Sequence, residues 1–286
     1  MSNVAIVTDS TCCLPADLVR QYNIHILPMV INYRGKSYHD GIDITPTEIY
    51  HIMRLKGDLP TTSTISPGNI IRTFLDCGEK TSNILCITLT SLQSKTYETA
   101  MISREMVMEQ MPHLNIEVMD SRSVGGALGF ITLEAAREAS RGGSLESALK
   151  RAKEIHQKVQ FLAMLDTLYY LARTGRLALA AHWAASLLQL KPILEHRPER
   201  GVTEPVTRPR TTAKALETLK ELIKSRVDGR KVHLMVHHAD ELERCLNLRD
   251  SLLSEIDCVE SYVTEFTPVM GVHTGPGLIA AGFYTE

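Results

Sequence analysis

Aromatic residues and excess charge are both scarce in this chain of 286 residues. Phe, Trp and Tyr make up 5% of it, and there is one tryptophan. Lys and Arg number 31 against 33 Asp and Glu, which gives a formal net charge of -2. Proteins that coat nucleic acid carry a strong basic excess, and many stack bases on aromatic rings. We therefore expect no nucleic-acid partner.

Long apolar runs are also lacking, and we expect no secretory leader. No stretch approaches the roughly 18 consecutive apolar residues of a membrane-spanning helix. The opening MSNVAIVTDS has neither a basic n-region nor an apolar h-region. These features predict a cytoplasmic protein without stable membrane insertion.

The chain also lacks the residue spacing that is typical of metal-binding sites. The six cysteines include no C-x-x-C pair, and the vicinal Cys12 and Cys13 are poorly placed to chelate one ion. In the cytosol we expect all six to remain thiols. His233 and His237 form an i, i+4 pair, but on a strand this spacing puts them about 13 Å apart. We predict no metal site, and we expect His233, His237 and His238 to be core and turn residues.

Aliphatic residues, in contrast, are abundant in this chain. Hydrophobic residues make up 44% of it and include 11 methionines, whose flexible thioether chains fill irregular space. At about 150 residues per domain, the length predicts one large domain or two ordinary ones. This composition is compatible with an apolar cavity but does not require one.

Short β-branched runs alternate with stretches of helical spacing. Four runs of the first half are predicted as strands: Val4 to Asp9, Ile24 to Ile31, Ile84 to Thr90 and Ile116 to Asp120. The alternation indicates βαβ units around a mostly parallel sheet. A new series begins at Phe161. We predict an α/β protein of two domains: residues 1–159 form a three-layer α/β/α domain with a mostly parallel sheet, and residues 160–286 form an α/β domain with a mixed sheet.

Polar turns that follow the predicted strands hold donors suited to an anion, because ligands of such sheets gather at the carboxyl ends of strands. Thr62 and Ser94 would supply short hydroxyl hydrogen bonds, and Arg176 and a protonated His273 would supply charge. Ser94 also fits a plain helix N-cap. The run Pro268 to Val272, just before His273, is predicted as a strand. G-x-G-x-x-G, Walker A and H-E-x-x-H motifs are absent, so we predict a carboxylate or phosphate site without the usual marks of a nucleotide or catalytic metal.

One segment is locally basic. Residues 191–231 hold eleven Lys and Arg against six Asp and Glu. The segment has almost no aromatic residues, which argues against nucleic acid. It is either a solvated face or a docking surface for an acidic protein partner.

Several short motifs occur in one order along almost the whole chain. They are Asp9-Ser10-Thr11, Leu14-Pro15, Asp40-Gly41-Ile42-Asp43-Ile44, residues 62–67, residues 90–97, Asp166-Thr167-Leu168, Thr174-Gly175-Arg176, Lys191-Pro192-Ile193 and residues 271–277. In this order and spacing they resemble the DegV family, the fatty-acid-binding proteins that serve a bacterial fatty acid kinase.

The resemblance implies two α/β domains with one long-chain fatty acid between them. The acyl tail would lie in an apolar tunnel held mostly by the N-terminal domain, and the C-terminal domain would close over it. The ligand-binding residues that it implies are Thr62, Ser63, Ser94, Arg176, His273 and Thr274, with Arg176 near the exit.

The same resemblance implies a role without catalysis of its own and without a cofactor. The chain would present the fatty acid carboxylate to an ATP-dependent fatty acid kinase subunit. The acyl phosphate formed there would pass to an acceptor enzyme and feed phospholipid synthesis.

Two positions beside Ser94 depart from the family's pattern. Gln93 stands where leucine is usual, and Lys95 stands where glycine is usual. Lys95 either adds a cation near the head group or points to solvent. In both cases glycine's freedom to adopt a positive φ is lost there.

An alternative function is a serine hydrolase acting on a lipid-like ester. Ser94 would be its nucleophile and His273 its base, and Asp9 or Asp166 would orient the imidazole. The chain has no G-x-S-x-G nucleophile elbow around Ser94, which weighs against this alternative.

Overall fold

The structure is a computed structural model that describes residues 3–55, 57–176 and 190–286. It contains a four-stranded sheet, a six-stranded sheet and a small three-stranded sheet, with helices packed around them. The strands of the four-stranded and three-stranded sheets all lie at or before residue 120, and those of the six-stranded sheet all follow residue 159.

The four-stranded sheet is parallel throughout and has the order β2-β1-β6-β7. Its strands are β1 (Ala5–Asp9), β2 (His25–Leu27), β6 (Asn83–Thr88) and β7 (Asn115–Asp120). Every residue of β1 is buried. This matches its β-branched sequence, because parallel strands are covered by helices on both faces.

The small sheet, in the order β4-β3-β5, is antiparallel and consists of β3 (Val30–Tyr33), β4 (Lys36–His39) and β5 (Thr61–Ser63). The prediction of one strand from Ile24 to Ile31 was wrong. The chain leaves β2 at Pro28, whose missing N–H cannot extend a ladder, and the following residues enter this second sheet.

The described part of the first half contains six α-helices. They are α1 (Ala16–Gln21), α2 (Pro46–Arg54), α3 (Pro67–Gly78), α4 (Thr96–Gln110), α5 (Gly125–Ser140) and α6 (Leu145–His156), and a 3-10 turn at Ser10–Cys12 follows β1. Thr45 and Glu48 form a reciprocal capping box at α2, and Ser66 caps α3 with proline next to it.

The six-stranded sheet is mixed and has the order β10-β9-β8-β13-β11-β12. Its strands are β8 (Gln160–Met164), β9 (Ile193–Arg197), β10 (Val202–Thr207), β11 (Val232–His238), β12 (Cys258–Glu265) and β13 (Ile279–Thr285). Among the strand pairs of this sheet within the described residues, β11–β12 alone is parallel. The two-domain α/β fold, with a parallel and a mixed sheet, is therefore confirmed.

The second half also has α7 (Tyr169–Thr174), α8 (Thr212–Val227), α9 (Leu242–Leu253) and α10 (Pro268–Thr274). The prediction of a strand at Pro268 to Val272 was wrong. Proline occupies the first helical position of α10, where its fixed φ suits a helix and its missing N–H costs nothing. His273 therefore lies in the last turn of a buried helix and not at the end of a strand.

Helix α5 packs directly against β13 of the six-stranded sheet. A Cβ on Gly282 would lie 2.6 Å from the carbonyl carbon of Gly126, so both positions need glycine for this close approach. Nearby, the Arg137 guanidinium contacts both carboxylate oxygens of Glu260 at 2.7 and 2.6 Å. The first half and the six-stranded sheet are thus joined by both apolar and ionic contacts.

Candidate functional site

A cavity of about 730 Å³ lies where the parallel sheet, the small sheet and the six-stranded sheet meet. Apolar side chains form much of its wall: Met29, Leu89, Leu92, Val124, Phe161, Ala163, Leu165, Leu171, Leu194, Phe266, Val269, Met270 and Leu278. We expected the N-terminal domain to hold most of an acyl tunnel, whereas most of these apolar residues follow residue 160. The position of a ligand tail within the cavity stays a prediction.

All six residues proposed from the sequence border this cavity: Thr62, Ser63, Ser94, Arg176, His273 and Thr274. They come from four separate parts of the chain, namely β5, the turn before α4, the end of α7 and helix α10. The fold brings these hydroxyls, the guanidinium and the imidazole to one place. Their part in binding a ligand stays a prediction.

Thr62 and His273 contact each other directly, although 211 residues separate them. The Thr62 Oγ1 and His273 Nε2 atoms are 3.0 Å apart. His273 Nδ1 is buried and has no hydrogen-bond partner among the described residues. Burial, with a smaller contribution from the positive charge of Arg176, lowers the pKa of His273 to about 3. The imidazole is therefore neutral at neutral pH, and the expectation of a protonated His273 was wrong.

The Ser94 hydroxyl belongs to a short chain of hydroxyl groups at the start of α4. Ser94 Oγ lies 2.8 Å from Thr96 Oγ1, and Thr96 Oγ1 lies 3.1 Å from Thr64 Oγ1. The Thr96 backbone N–H donates to Ser94 Oγ at 3.3 Å. Ser94 thus helps to start the helix while its side chain also borders the cavity.

Lys95 does not direct its charge at a head group. Its Nζ pairs with Glu98 at 2.8 Å, and its side chain is 71% exposed. Its φ of -83° is ordinary for any residue, so this turn does not require glycine.

Arg176 marks the boundary between the main cavity and a smaller one. The smaller cavity has about 180 Å³, and Thr62, Arg176 and His273 border both. The Arg176 guanidinium donates to the Thr174 carbonyl at the end of α7. Arg173 also lines the smaller cavity, so two guanidinium groups lie on its wall.

The remaining two predicted residues use their hydroxyl groups within the protein. Ser63 Oγ accepts a hydrogen bond from the Asn32 side-chain amide at 2.7 Å, and its own hydrogen can be donated elsewhere. Thr274 donates to the Met270 carbonyl one turn earlier in α10, at 3.0 Å. Thr274 therefore borders the cavity with its hydroxyl hydrogen already used.

The geometry required for a serine hydrolase is not assembled here. The His273 Nε2 atom contacts Thr62, and the Ser94 hydroxyl contacts Thr96. Asp9 accepts from the Thr11 hydroxyl and backbone and from the Leu89 N–H. Asp166 pairs with Lys191 at 2.9 Å. Neither carboxylate orients the His273 ring in the part of the chain that the structure describes.

Two further polar residues of the cavity wall were missed by the sequence analysis. His196, on β9, and Thr203, on β10, border the cavity and contact each other at 2.9 Å between Nδ1 and Oγ1. Burial lowers the pKa of His196 to about 4, so this ring is also neutral. Both residues sit in ordinary strand sequence, and only the antiparallel pairing of β9 with β10 shows that they are neighbours.

The histidines of β11 are core residues, as expected. His233 bonds to Glu260 and His237 to Thr264, and all three of His233, His237 and His238 are buried. Across the residues that the structure describes, no group of three or more His, Cys, Asp or Glu side chains is placed to hold a metal ion.

Five of the eleven cations of the basic segment 191–231 pair with carboxylates of the same segment. Arg197 lies within ion-pair distance of Glu195, Glu199 and Glu204, and Arg200 pairs with Glu204. This local neutralisation favours a solvated face over a docking surface.

No helix of the described ranges has the length and apolar character needed to cross a bilayer.

Known proteins are similar to this chain over almost its whole length. A family model described as an uncharacterised protein of the DegV family matches residues 3–286. A DegV domain-containing protein from Caldanaerobacter subterraneus is 33% identical, over 100% of this chain and 99% of that protein.

Two solved structures share the fold at comparable identity. A DegV family protein from Thermus thermophilus, described by its fatty acid binding, has a TM-score of 0.90 at 28% identity, with 100% of both chains covered. DegV from Bacillus subtilis, described as a fatty acid binding protein, has a TM-score of 0.88 at 30% identity, again with 100% of both chains covered. With its family motifs, its two-domain fold and its full-length relatives in agreement, this chain belongs to the DegV family.

Proposed function

We propose that this protein binds one long-chain fatty acid in the main cavity. The observation that carries the proposal is a cavity whose wall combines many apolar side chains with hydroxyl, imidazole and guanidinium groups, among which Thr62 and His273 are in direct contact. The head group would be bound by Thr62, Ser63, Ser94, Arg176, His273 and Thr274. The two relatives described as fatty-acid binding support the same ligand class.

The size and lining of the cavity suit an acyl tail. Its volume of about 730 Å³ falls within the range of small-molecule sites, about 300 to 1,000 Å³. Transfer of a tail of about sixteen carbons from water contributes more than about 10 kcal/mol, at ~0.8 kcal/mol per CH₂, before the costs of binding. Such a ligand is expected to survive purification.

The polar groups of the wall would bind the carboxylate by hydrogen bonds and by one neighbouring charge. A buried carboxylate is costly unless donors satisfy it. The hydroxyls of Thr62 and Ser94 can donate, and Arg176 supplies positive charge. A neutral His273 still offers one N–H, and its unpaired Nδ1 is available for a rearranged network when a head group enters.

We further propose that the protein presents this carboxylate to an ATP-dependent fatty acid kinase subunit in the cytoplasm. The partner's ATP would transfer its terminal phosphoryl group to a carboxylate oxygen and leave as ADP. The acyl phosphate would go to an acceptor enzyme that feeds phospholipid synthesis. The lack of a nucleotide motif in this chain supports a presenting role rather than catalysis. Residues 1–159 and 160–286 would be the two units that close on the ligand.

Mass spectrometry of a solvent extract from the purified protein tests the binding step. One long-chain fatty acid per chain is the expected result. If the extract is empty, and if the delipidated protein does not take up added fatty acid, then the ligand class is wrong.

Substitution of the hydroxyl donors tests the head-group site. We expect Thr62→Ala combined with Ser94→Ala to reduce acyl-phosphate formation with the partner kinase. Thr218→Ala on α8 also removes a hydroxyl, at a half-buried residue that does not line the cavity, and serves as the control. Unchanged acyl-phosphate formation in the double variant would place the head group elsewhere. Labelling of Ser94 by a fluorophosphonate probe would instead favour a hydrolase.

A further inference from the structure

One wall of the main cavity contains a continuous hydrogen-bond relay between the two halves of the protein. The Gln93 side-chain amide donates to Thr203 Oγ1 at 3.1 Å, and Thr203 Oγ1 lies 2.9 Å from His196 Nδ1. His196 Nε2 lies 2.9 Å from the Arg122 carbonyl oxygen. Gln93 and Arg122 belong to loops of the parallel sheet, while His196 and Thr203 belong to the β9–β10 hairpin.

The direction of each hydrogen bond follows from the chemistry of the groups. A carbonyl oxygen can only accept, so His196 Nε2 carries the hydrogen. Because the ring is neutral, Nδ1 is an acceptor and receives the Thr203 hydroxyl hydrogen. Thr203 Oγ1 then has only lone pairs left for Gln93. The residue at position 93 must therefore be a donor, which glutamine is and leucine or glutamate is not.

The relay is attached to the loop that holds Ser94. Gln93 directly precedes Ser94, and the Gln93 backbone N–H donates to the Thr90 carbonyl to close a turn. The Thr90 hydroxyl in turn donates to the Gly201 carbonyl of the hairpin at 3.0 Å. The hairpin thus contacts this turn at both its first and its last residue.

We propose that Gln93 is a positioning residue, which holds the Ser94 hydroxyl at the head-group end of the cavity through its bond to Thr203. The inference rests on the proposed function, because it concerns the carboxylate that Ser94 would bind. The Ser94 side chain has local partners, but the backbone that carries it is held to the β9–β10 hairpin by this relay. Loss of the relay would therefore weaken recognition of the carboxylate more than recognition of the tail.

The test compares affinities of the delipidated protein for palmitic acid and for hexadecanol, which has the same tail without the carboxylate. In the wild type the acid should bind more tightly than the alcohol. Gln93→Leu, Gln93→Glu and Thr203→Val should each reduce the acid-to-alcohol preference by about three- to tenfold, the usual effect of losing one hydrogen bond. Thr207→Val, on the same strand but outside the relay, is the control and should keep the wild-type ratio.

Coupling to Ser94 separates positioning from general loosening of the fold. Once Ser94 is replaced by alanine, Gln93→Leu should change the preference by less than about twofold, because the hydroxyl that it positions is gone. Melting temperatures of all variants are measured alongside. An unchanged ratio in Gln93→Leu and Thr203→Val, or full additivity with Ser94→Ala, overturns the inference while the proposed function stands. A wild type that binds neither compound overturns both.

Discussion

The buried carboxylate of Asp40 gives the sharpest test of how this fold is held together. Asp40 is 3% exposed and accepts hydrogen bonds from the Ser10 hydroxyl at 2.5 Å and from the Val269 N–H at 2.8 Å. Val269 is in the first turn of α10, the helix that also carries His273. Burial raises the pKa of Asp40 to about 6, although its hydrogen bonds act in the opposite direction.

We predict that Asp40→Asn changes how stability depends on pH. Between the usual pKa of aspartate and about 6, the folded protein holds a proton on Asp40 that the unfolded chain has released, so stability falls as the pH rises. A rise from the usual value to about 6 corresponds to roughly 3 kcal/mol in total. Over the range from about pH 4.5 to about pH 7.5, the wild type loses about 2 kcal/mol of this stabilisation.

The assay is urea unfolding of the wild type and the variant across that pH range. Asparagine cannot ionise, so its stability relative to the wild type should increase by about 2 kcal/mol from the acid to the neutral end. Asp58→Asn removes an exposed carboxylate and serves as the control. A constant difference between Asp40→Asn and wild type at every pH would refute the argument, because it would mean that Asp40 ionises equally easily in the folded and unfolded states.

Two further predictions concern the contacts between the two halves. Burial alone would raise the pKa of Glu260, but the hydrogen bonds it accepts, chiefly from Arg137, lower it. We therefore expect Glu260→Gln to cost about 2 to 4 kcal/mol at neutral pH by urea unfolding. The loss should shrink below about pH 4, where the unfolded wild-type chain binds a proton at Glu260 that the folded protein does not. Gly282→Ala should lower stability by about 1 to 3 kcal/mol, because its Cβ would meet the Gly126 backbone, whereas Gly68→Ala enters open space and should leave the melting temperature nearly unchanged.

Much of the secondary structure could be predicted from local sequence patterns. The predicted strand from Val4 to Asp9 corresponds to β1 (Ala5–Asp9), and the predicted strand from Ile116 to Asp120 corresponds to β7 (Asn115–Asp120). The wrong predictions of secondary structure lie where local sequence preference and tertiary contacts compete. The run before His273 is apolar enough for a strand, but Pro268 starts a helix there and Asp40, far away in the chain, bonds to its first turn.

The candidate site was predicted in part for the same reason. The residue types at Thr62, Ser94, Arg176 and His273 are evident in the printed sequence, and the family motifs give their order. His196 and its partner Thr203 carry no such mark, since a histidine and a threonine on strands are ordinary core and edge residues.

The sequence by itself determined the alternation of strands and helices, the small number of aromatic residues, the low net charge, and the set of polar residues available to a ligand. These are properties of neighbouring residues and of composition, so periodicity and counting reveal them. Tertiary structure alone decided that His273 is neutral and that the Gln93 side chain bonds to Thr203 on the β9–β10 hairpin. Desolvation and hydrogen bonds between residues more than a hundred positions apart decide those features, and no local pattern encodes them.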